Sequence, residues 1–255
     1  MKYFISFKQN EDCKKLKDKL EGFFKAKGYV YDKFSPDIVV SIGGDGSFLR
    51  SVQDFYQVNP LFISINKGNL GYLCEFNEED LDLIIDSISN PSIKTISLLE
   101  LIYDKKSIYA LNEVRIEAKH GGSIKFNISV DDELLESIKG DGCNISSSIG
   151  SSGINKSLFG SLVDNELEVL QLVLKAPIIN RAYQSIDSSF VFNKDRIIKL
   201  SSFAPKKFSI FYDCKEINGI DNGDDLIVKI SNKKIRVLAN KNNNYIAKTK
   251  RAFLK

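Results

Sequence analysis

The chain has 255 residues, 43% hydrophobic and 27% charged, which suits one large or two modest soluble globular domains and excludes a disordered chain, a collagen or a disulfide miniprotein. A net charge of +3 is too balanced for a chain whose main task is coating nucleic acid. The four cysteines, Cys13, Cys74, Cys143 and Cys214, form no CxxC and read as reduced thiols of a cytoplasmic protein. His120 is the single histidine, so one chain cannot build a two-histidine zinc site. The Gly121-Gly122 that follows it predicts a solvated loop. The start, MKYFISFKQNEDCKK, has no long apolar leader core, and no run of 18 apolar residues exists, so neither a secretory leader nor a membrane span is expected.

The first ninety residues alternate between two periods. Lys2–Phe7 reads as an apolar strand, and Asn10 as the cap of a helix with Leu16, Leu20, Phe23 and Phe24 on one stripe. Residues 37–42 (DIVVSI) form a continuous apolar run, the signature of a buried parallel strand. That run ends in Gly43-Gly44-Asp45-Gly46, and a helical pattern follows to about Tyr56. Residues 61–65 (LFISI) are another buried strand, with Lys67-Gly68-Asn69-Leu70-Gly71-Tyr72-Leu73 as a second loop after it. Asn77 before Glu78-Glu79 caps a helix with Leu81, Ile84, Ile85 and Ile88 inward. Strands alternating with helices predict an open parallel sheet.

After Asn90-Pro91 the texture becomes β-rich. Short apolar runs are separated by turn residues, with hairpin turns expected at Asp131-Asp132, Asn193-Lys194-Asp195 and Asn232-Lys233-Lys234. One helical island is expected over residues 157–174. Residues 241–244 (KNNN) read as a solvated linker, and 245–255 as a short helix or strand packing elsewhere.

Several stretches carry chemistry. Glycines at the carboxyl end of a buried strand let backbone N–H groups approach a phosphate, and the helix N-terminus adds a favourable field. A bare carboxylate in such a cradle is repulsive, so Asp45 either takes a proton or holds a metal, or else simply caps the helix. Arg50, one turn on, reaches a phosphate or lies on a solvated face. The polar pair Asn112-Glu113 interrupts an apolar run and is costly to bury unpartnered, so it marks either an edge or a ribose-binding pair. Lys139-Gly140-Asp141-Gly142 is a tight turn around another carboxylate. The Ser/Gly stretch from Ser146 to Ser157 is either a linker or a structured loop offering N–H and hydroxyl groups to a polar ligand.

In order, GGDGSFLR, KGNLGYL, the NE pair, GDG with its Ser/Gly loop, and APIINR at 176–181 resemble the bacterial NAD kinase family over essentially the whole chain. The resemblance implies an α/β plus β fold. A Rossmann-like open α/β domain would span 1–95, with about 245–255 returning to it, and a β-rich, sandwich-like dinucleotide-binding domain would span 96–244. It implies transfer of the γ-phosphate of ATP to the 2′-hydroxyl of the adenosine ribose of NAD, with a divalent ion, Mg2+, accompanying ATP. It also implies a homotetramer or homodimer that would complete the dinucleotide site across subunits, with no nucleic-acid or membrane partner expected.

By resemblance Asp45 is the catalytic base, Gly46 and Arg50 neighbour the dinucleotide, and Asn112 and Glu113 hold its adenosine. Ser152, Gly153, Ile154, Asn155, Lys156 and Ser157 line the adenosine pocket. Lys139 stands where the family places a basic residue, and Asp141 and Ala176 meet the other end of the dinucleotide. Two departures stand out: Ile154 replaces an expected aromatic, and Asp213-Cys214 replaces an Asp-Gly. The rivals are a diacylglycerol-type lipid kinase sharing GGDG and a non-catalytic dinucleotide sensor. The NE pair and the lack of an amphipathic anchor oppose the first, and an intact Asp45 opposes the second.

Overall fold

Buried apolar runs and amphipathic stripes alternate through the first part of the computed structural model, which describes residues 1–68, 71–205, 207–217 and 225–254. β1 (Lys2–Phe7) leads into α1 (Glu11–Ala26), where the Asn10 side chain accepts the Cys13 N–H at 2.8 Å. Cys13, Leu16, Leu20 and Phe24 are the buried stripe, with Phe23 half-buried beside them. β2 (Val30–Tyr31), β3 (Ile38–Gly43), α2 (Asp45–Phe55), β4 (Leu61–Asn66) and β5 (Phe76–Asn77) follow. A 3-10 turn, Glu78–Asp80, then enters α3 (Leu81–Ser89). Asn77 begins that turn in a capping box, its N–H donating to Asp80 Oδ2. The strands pair in parallel in the order β2–β1–β3–β4, with β5 parallel to β4. Every residue of β3 is buried, as a strand covered on both faces requires.

The β-rich part contributes β6 (Ile93–Tyr103), β7 (Lys106–Ala110), β8 (Glu113–Ala118), β9 (Ile124–Val130), β10 (Glu133–Gly140) and β11 (Gly142–Ser147). After the single turn of α4 (Ile154–Ser157) come β12 (Val169–Lys175), β13 (Phe190–Asn193), β14 (Ile198–Ala204), β15 (Phe208–Tyr212), β16 (Lys215–Ile217) and β17 (Leu226–Leu238). One antiparallel layer runs β10–β9–β14–β17, the other β13–β12–β11–β8–β15–β16. Phe126, Ile128, Leu200 and Val228 from the first share one core with Ile116, Cys143, Ile145 and Leu172 from the second. This is the sandwich-like layering the sequence led us to expect.

Contacts group Met1–Ile96 with Lys234–Lys255 as one unit and Ser97–Lys233 as the other. Residues 234–244, assigned from sequence to the β-rich part, thus group with the first. There Arg236 and Val237 of β17 pair with Leu61 and Phe62 of β4, and the Ala239 N–H donates to Ser92 O. The 241–244 tract is no free linker, because Asn243 Nδ2 donates to Cys74 O and Glu75 O. Residues 245–255 supply α5 (Tyr245–Phe253), capped by the Asn244 side chain.

Three local expectations are corrected. Residues 157–174 are not a helix. The Asp164 side chain accepts the Glu166 N–H in a turn, and Val169–Lys175, buried throughout its interior, pairs as a strand with β11 and β13. Asn232-Lys233-Lys234 is the exposed middle of the continuous strand β17, where the chain passes between units. Asn193-Lys194-Asp195 does turn, but it joins β13 and β14 in different layers, so it is no hairpin. Asp131-Asp132 is the expected hairpin turn, both residues left-handed at φ 51° and 67°. His120 is exposed in its loop, and among the described residues no helix is long and apolar enough to cross a membrane.

Candidate active site

β3 delivers the glycine loop. Gly43 has φ +154°, and a Cβ there would stand 2.4 Å from Ser47 Oγ, so only glycine lets the strand close onto the start of α2. Gly44 is the N-cap and Asp45 the first helical residue, so the carboxylate does not cap its own helix. It reaches instead to the loop after β4. Oδ2 accepts the Tyr72 N–H at 3.0 Å and Oδ1 the Leu73 N–H at 2.8 Å. Burial pushes the Asp45 carboxyl above its usual range, opposed by the Leu73 and Tyr72 donors and by Lys248 and Arg251. Gly46 and Arg50 are exposed on the same helix.

The second loop is shaped for this task. Gly71 has φ +47°, and a Cβ there would meet Asn66 Cγ at 2.3 Å. The Asn66 side chain brackets Gly68, accepting its N–H and donating to its carbonyl. Asn69 and Leu70 of the KGNLGYL motif lie outside the described residues.

In the second unit, Asn112 lies between β7 and β8 and Glu113 opens β8, each 7% exposed. Asp213 holds them there. Its Oδ2 accepts the Leu111 N–H at 2.8 Å, its Oδ1 the Asn112 N–H at 2.7 Å, and its own N–H donates to Glu113 O. Asn112 Oδ1 and Glu113 Oε2 are buried with no hydrogen-bond partner among the described residues. Buried acceptors left open are costly in a finished core and mark a place for donors from a ligand. Burial, with the Asp213 carboxylate second and Arg115 opposing, pushes the Glu113 carboxyl up to about 8.

The Ser/Gly stretch is ordered against this pair. Ser147 Oγ donates to Leu111 O at 2.7 Å and accepts the Gly150 N–H. A Cβ on Gly150 would lie 2.1 Å from Asn112 O, so the loop backbone rests directly on the pair. A Cβ on Gly153 would stand 3.6 Å from both Asn112 Nδ2 and Glu113 Oε2. Ser152, Gly153 and Ile154 are half-exposed, and Lys156 and Ser157 exposed. Asn155 turns fully inward, its amide donating to Ser151 O and Ser161 O.

Lys139, Asp141 and Ala176 form a separate group. Gly140 packs on Ala176 O, the Lys139 carbonyl accepts the Ile178 N–H, and Lys139 Nζ lies 5.0 Å from the Tyr183 ring centre. The exposed Asp141 donates its N–H to Lys175 O and accepts the Ala118 N–H. Ser146 is the cross-strand partner of Glu113. Asp141 lies five residues back along the chain, roughly 16 Å at strand rise. One chain therefore does not bring Asp141 to the Asn112–Glu113 pair.

The ATP-NAD kinase N-terminal domain model matches residues 6–93 and the ATP-NAD kinase C-terminal domain model residues 111–240. The chain belongs to the ATP-NAD kinase family. It is 31% identical over 223 residues to NAD kinase 1 of Oceanobacillus iheyensis, covering 84% of each chain. With NAD kinase 2 of Bacillus subtilis it shares 30% over 268 residues, covering 99% of this chain and 97% of the relative. Its fold superposes on the crystal structure of an NAD kinase from Archaeoglobus fulgidus in complex with ATP. That match has a TM-score of 0.78 at 20% identity and covers 99% of this chain and 96% of the other.

Sequence reasoning missed two supports of this candidate site. The Tyr72 and Leu73 N–H groups that hold Asp45 are backbone, so side-chain type carries no signal for them. Asp213 was noticed only as a departure from a familiar dipeptide. Its φ of +47°, in a region aspartate tolerates, lets its carboxylate reach back to two successive N–H groups.

The glycines of Gly140-Asp141-Gly142 answer to backbone packing. Gly142 has φ +143°, and a Cβ there would lie 1.9 Å from Ile116 O. Gly142→Ala should therefore cost about 2 kcal/mol or more, while Asp141→Ala costs much less. Thermal melts of the two variants compare them directly.

Glu113 yields a pH prediction. Its folded value of about 8 stands above the ordinary 4.5, so its contribution is fully present below 4.5 and lost as pH rises through about 8. Relative to Glu113→Gln, the ligand-free wild type should lose melting temperature across that window and then hold level. Parallel melts of both proteins from about pH 4 to about pH 9 check this.

Proposed function

We propose that the chain transfers the γ-phosphate of ATP to the 2′-hydroxyl of the adenosine ribose of NAD, giving NADP. The observation that carries this reading is Asp45. It is a half-buried carboxylate at the first turn of the helix after a glycine loop, fixed through both oxygens by the Tyr72 and Leu73 N–H groups. A phosphoryl-transfer enzyme needs a base oriented on the attacking hydroxyl, and positioning with electrostatics supplies most of the rate. Burial raises the proton affinity of Asp45 toward that task. The hydroxyl oxygen attacks the γ-phosphorus in line, its proton passes to Asp45, and ADP leaves. Magnesium enters as part of the magnesium–ATP substrate, where phosphate oxygens hold it. The glycine loop at the N-terminus of α2, with Gly46 and Arg50, faces anionic ligand groups.

Asn112 and Glu113 take the adenosine ribose, because their open buried acceptors want hydroxyl donors. Gly153 leaves room beside them, and Ser152, Ile154, Lys156 and Ser157 border the same pocket. Ile154 gives an apolar rather than an aromatic contact. Asn155 contributes by holding the loop. Lys139, Asp141 and Ala176 meet the other end of the dinucleotide from a neighbouring subunit of a homotetramer or homodimer. Their distance along the strand from Glu113 supports that division. Exposed Leu134, Ile179, Ile186 and Val191 in the same unit support an interface. The protein works in the cytoplasm, without a nucleic-acid or membrane partner. A lipid kinase has no use for the paired open acceptors, and a mere sensor has none for Asp45.

With ATP, magnesium and NAD supplied, purified protein should form NADP. Asp45→Asn should lower kcat by about 100-fold or more and leave NAD affinity nearly unchanged. Steady-state kinetics with direct NAD titration separates the two quantities, and a near-normal kcat removes Asp45 as the base.

Glu113→Gln should weaken NAD binding by about 1–3 kcal/mol and leave ATP binding almost unaltered. Calorimetric titration of each ligand is the measurement. Equal weakening of both, or none for NAD, contradicts the ribose assignment.

A further inference from the structure

The segment that holds Asp45 is itself held by the end of the chain. Gly71 O accepts Arg251 Nη2, Cys74 O accepts Asn243 Nδ2, and Glu75 O accepts the side-chain amides of Asn240 and Asn243. The Glu75 N–H donates to Ser64 Oγ of β4. The Glu75 carboxylate is 2% exposed and meets Lys248 Nζ at 2.6 Å, Lys248 being 4% exposed, with Lys94 as its second cation. Burying such a pair costs about as much as its attraction returns, so stability alone does not account for it.

The charges around Asp45 give it a use. From α5 come Lys248 and Arg251, and from the 71–75 segment Cys74 and Glu75. Burial, and Asp45 beside it, push the Cys74 thiol far up, so it stays neutral. Burial works to raise Glu75, but Lys94 and Lys248 outweigh it and hold it ionised. Burial and Lys94 lower Lys248, with Glu75 opposing. Lys248 and Arg251 are the cations that act on Asp45, both favouring its ionised form.

We propose that Lys248 and Arg251 of α5 are positioning residues for Asp45, locking through Glu75 and Gly71 the segment that presents the Tyr72 and Leu73 N–H groups, and favouring its charged form. The proposal rests on Asp45 being the base. A base must be ionised to act, and a nearby cation favours the ionised form, so removing the cation moves the acid limb of the rate profile to higher pH.

The test is the pH dependence of kcat for wild type, Lys248→Met, Lys248→Arg, Arg251→Gln and Asp45→Asn, with melting temperatures recorded alongside. Lys248→Met and Arg251→Gln should shift the acid limb upward by about half a unit or more and lower kcat several-fold, with KM for NAD little changed. Lys248→Arg should keep the wild-type limb. A purely structural role lowers melting temperature and leaves the limb in place, and a wild-type limb in the folded neutral variants overturns the proposal. Should Lys248→Met not fold, the limb of Arg251→Gln decides in the same way. Asp45→Asn separates the two readings. If it keeps the wild-type acid limb, the base assignment falls and this proposal with it. If it loses the limb while the α5 variants keep theirs, only this proposal falls.

Discussion

Two N–H groups pointing at one carboxylate organise the first unit. Asp45 starts a helix at the end of a fully buried strand, where water is scarce and desolvation disfavours charge. Hydrogen bonds to an ionised acceptor contribute about 1.5–3 kcal/mol each, and the helix N-terminus adds to them. Tyr72 and Leu73 can deliver those bonds only if their loop comes close and stays put. The forced glycine at 71, the bracket made by Asn66 and the amides of Asn240 and Asn243 all act on that loop. The same requirement explains why the chain returns to the first unit after leaving the second.

The second unit solves a related problem with the same chemical device. Asp213 spans two successive N–H groups, those of Leu111 and Asn112, as Asp45 spans those of Tyr72 and Leu73. The roles are reversed. Around Asp45 the backbone serves the carboxylate, whose free lone pairs remain for chemistry. At Asp213 the carboxylate serves the backbone, and the groups left open belong to its neighbours Asn112 and Glu113. Ser147 and Gly150 fix the same short segment from its other side. The Ser/Gly stretch, whose composition alone suits a linker, is therefore pinned at its start to the segment carrying Asn112 and Glu113.

What could be read from the sequence divides along the range of the interactions. β1, α1, β3, α2, β4 and α3 follow from periodicity and caps, because apolar side chains at spacing 2 or 3.6 and an asparagine at a helix start are local signals. Val169–Lys175 falls largely within the stretch expected as helix because a short apolar run satisfies both periods, and only its neighbours β11 and β13 decide between them. The polar triplet at 232–234 mimics a turn because nothing local shows that a strand crosses between units there. At the site, GGDG and the NE pair stood out as glycines after an apolar run and as polar residues inside one. Their anchors did not, since Leu73 is 28 residues from Asp45, Asp213 lies 101 from Asn112, and Lys248 lies 173 from Glu75.

Burial raises the proton affinity of both Asp45 and Glu113, yet their surroundings compensate it differently. Asp45 has two backbone donors and two cations of α5 opposing that rise. Glu113 has only Arg115 on the favourable side, while the Asp213 carboxylate works against it, so it remains protonated at neutral pH until other donors arrive. In the proposed complex the ribose brings hydroxyl donors, and the cost of ionising Glu113 would then be set against hydrogen bonds that exist only when the ligand is in place. In the proposed complex the charge of Glu113 depends on occupancy, whereas the groups that favour an ionised Asp45 are in place before any ligand enters. Two carboxyls raised by burial but compensated by different neighbours suit different work in the proposed reaction, one to accept a proton and one to recognise the molecule that gives it.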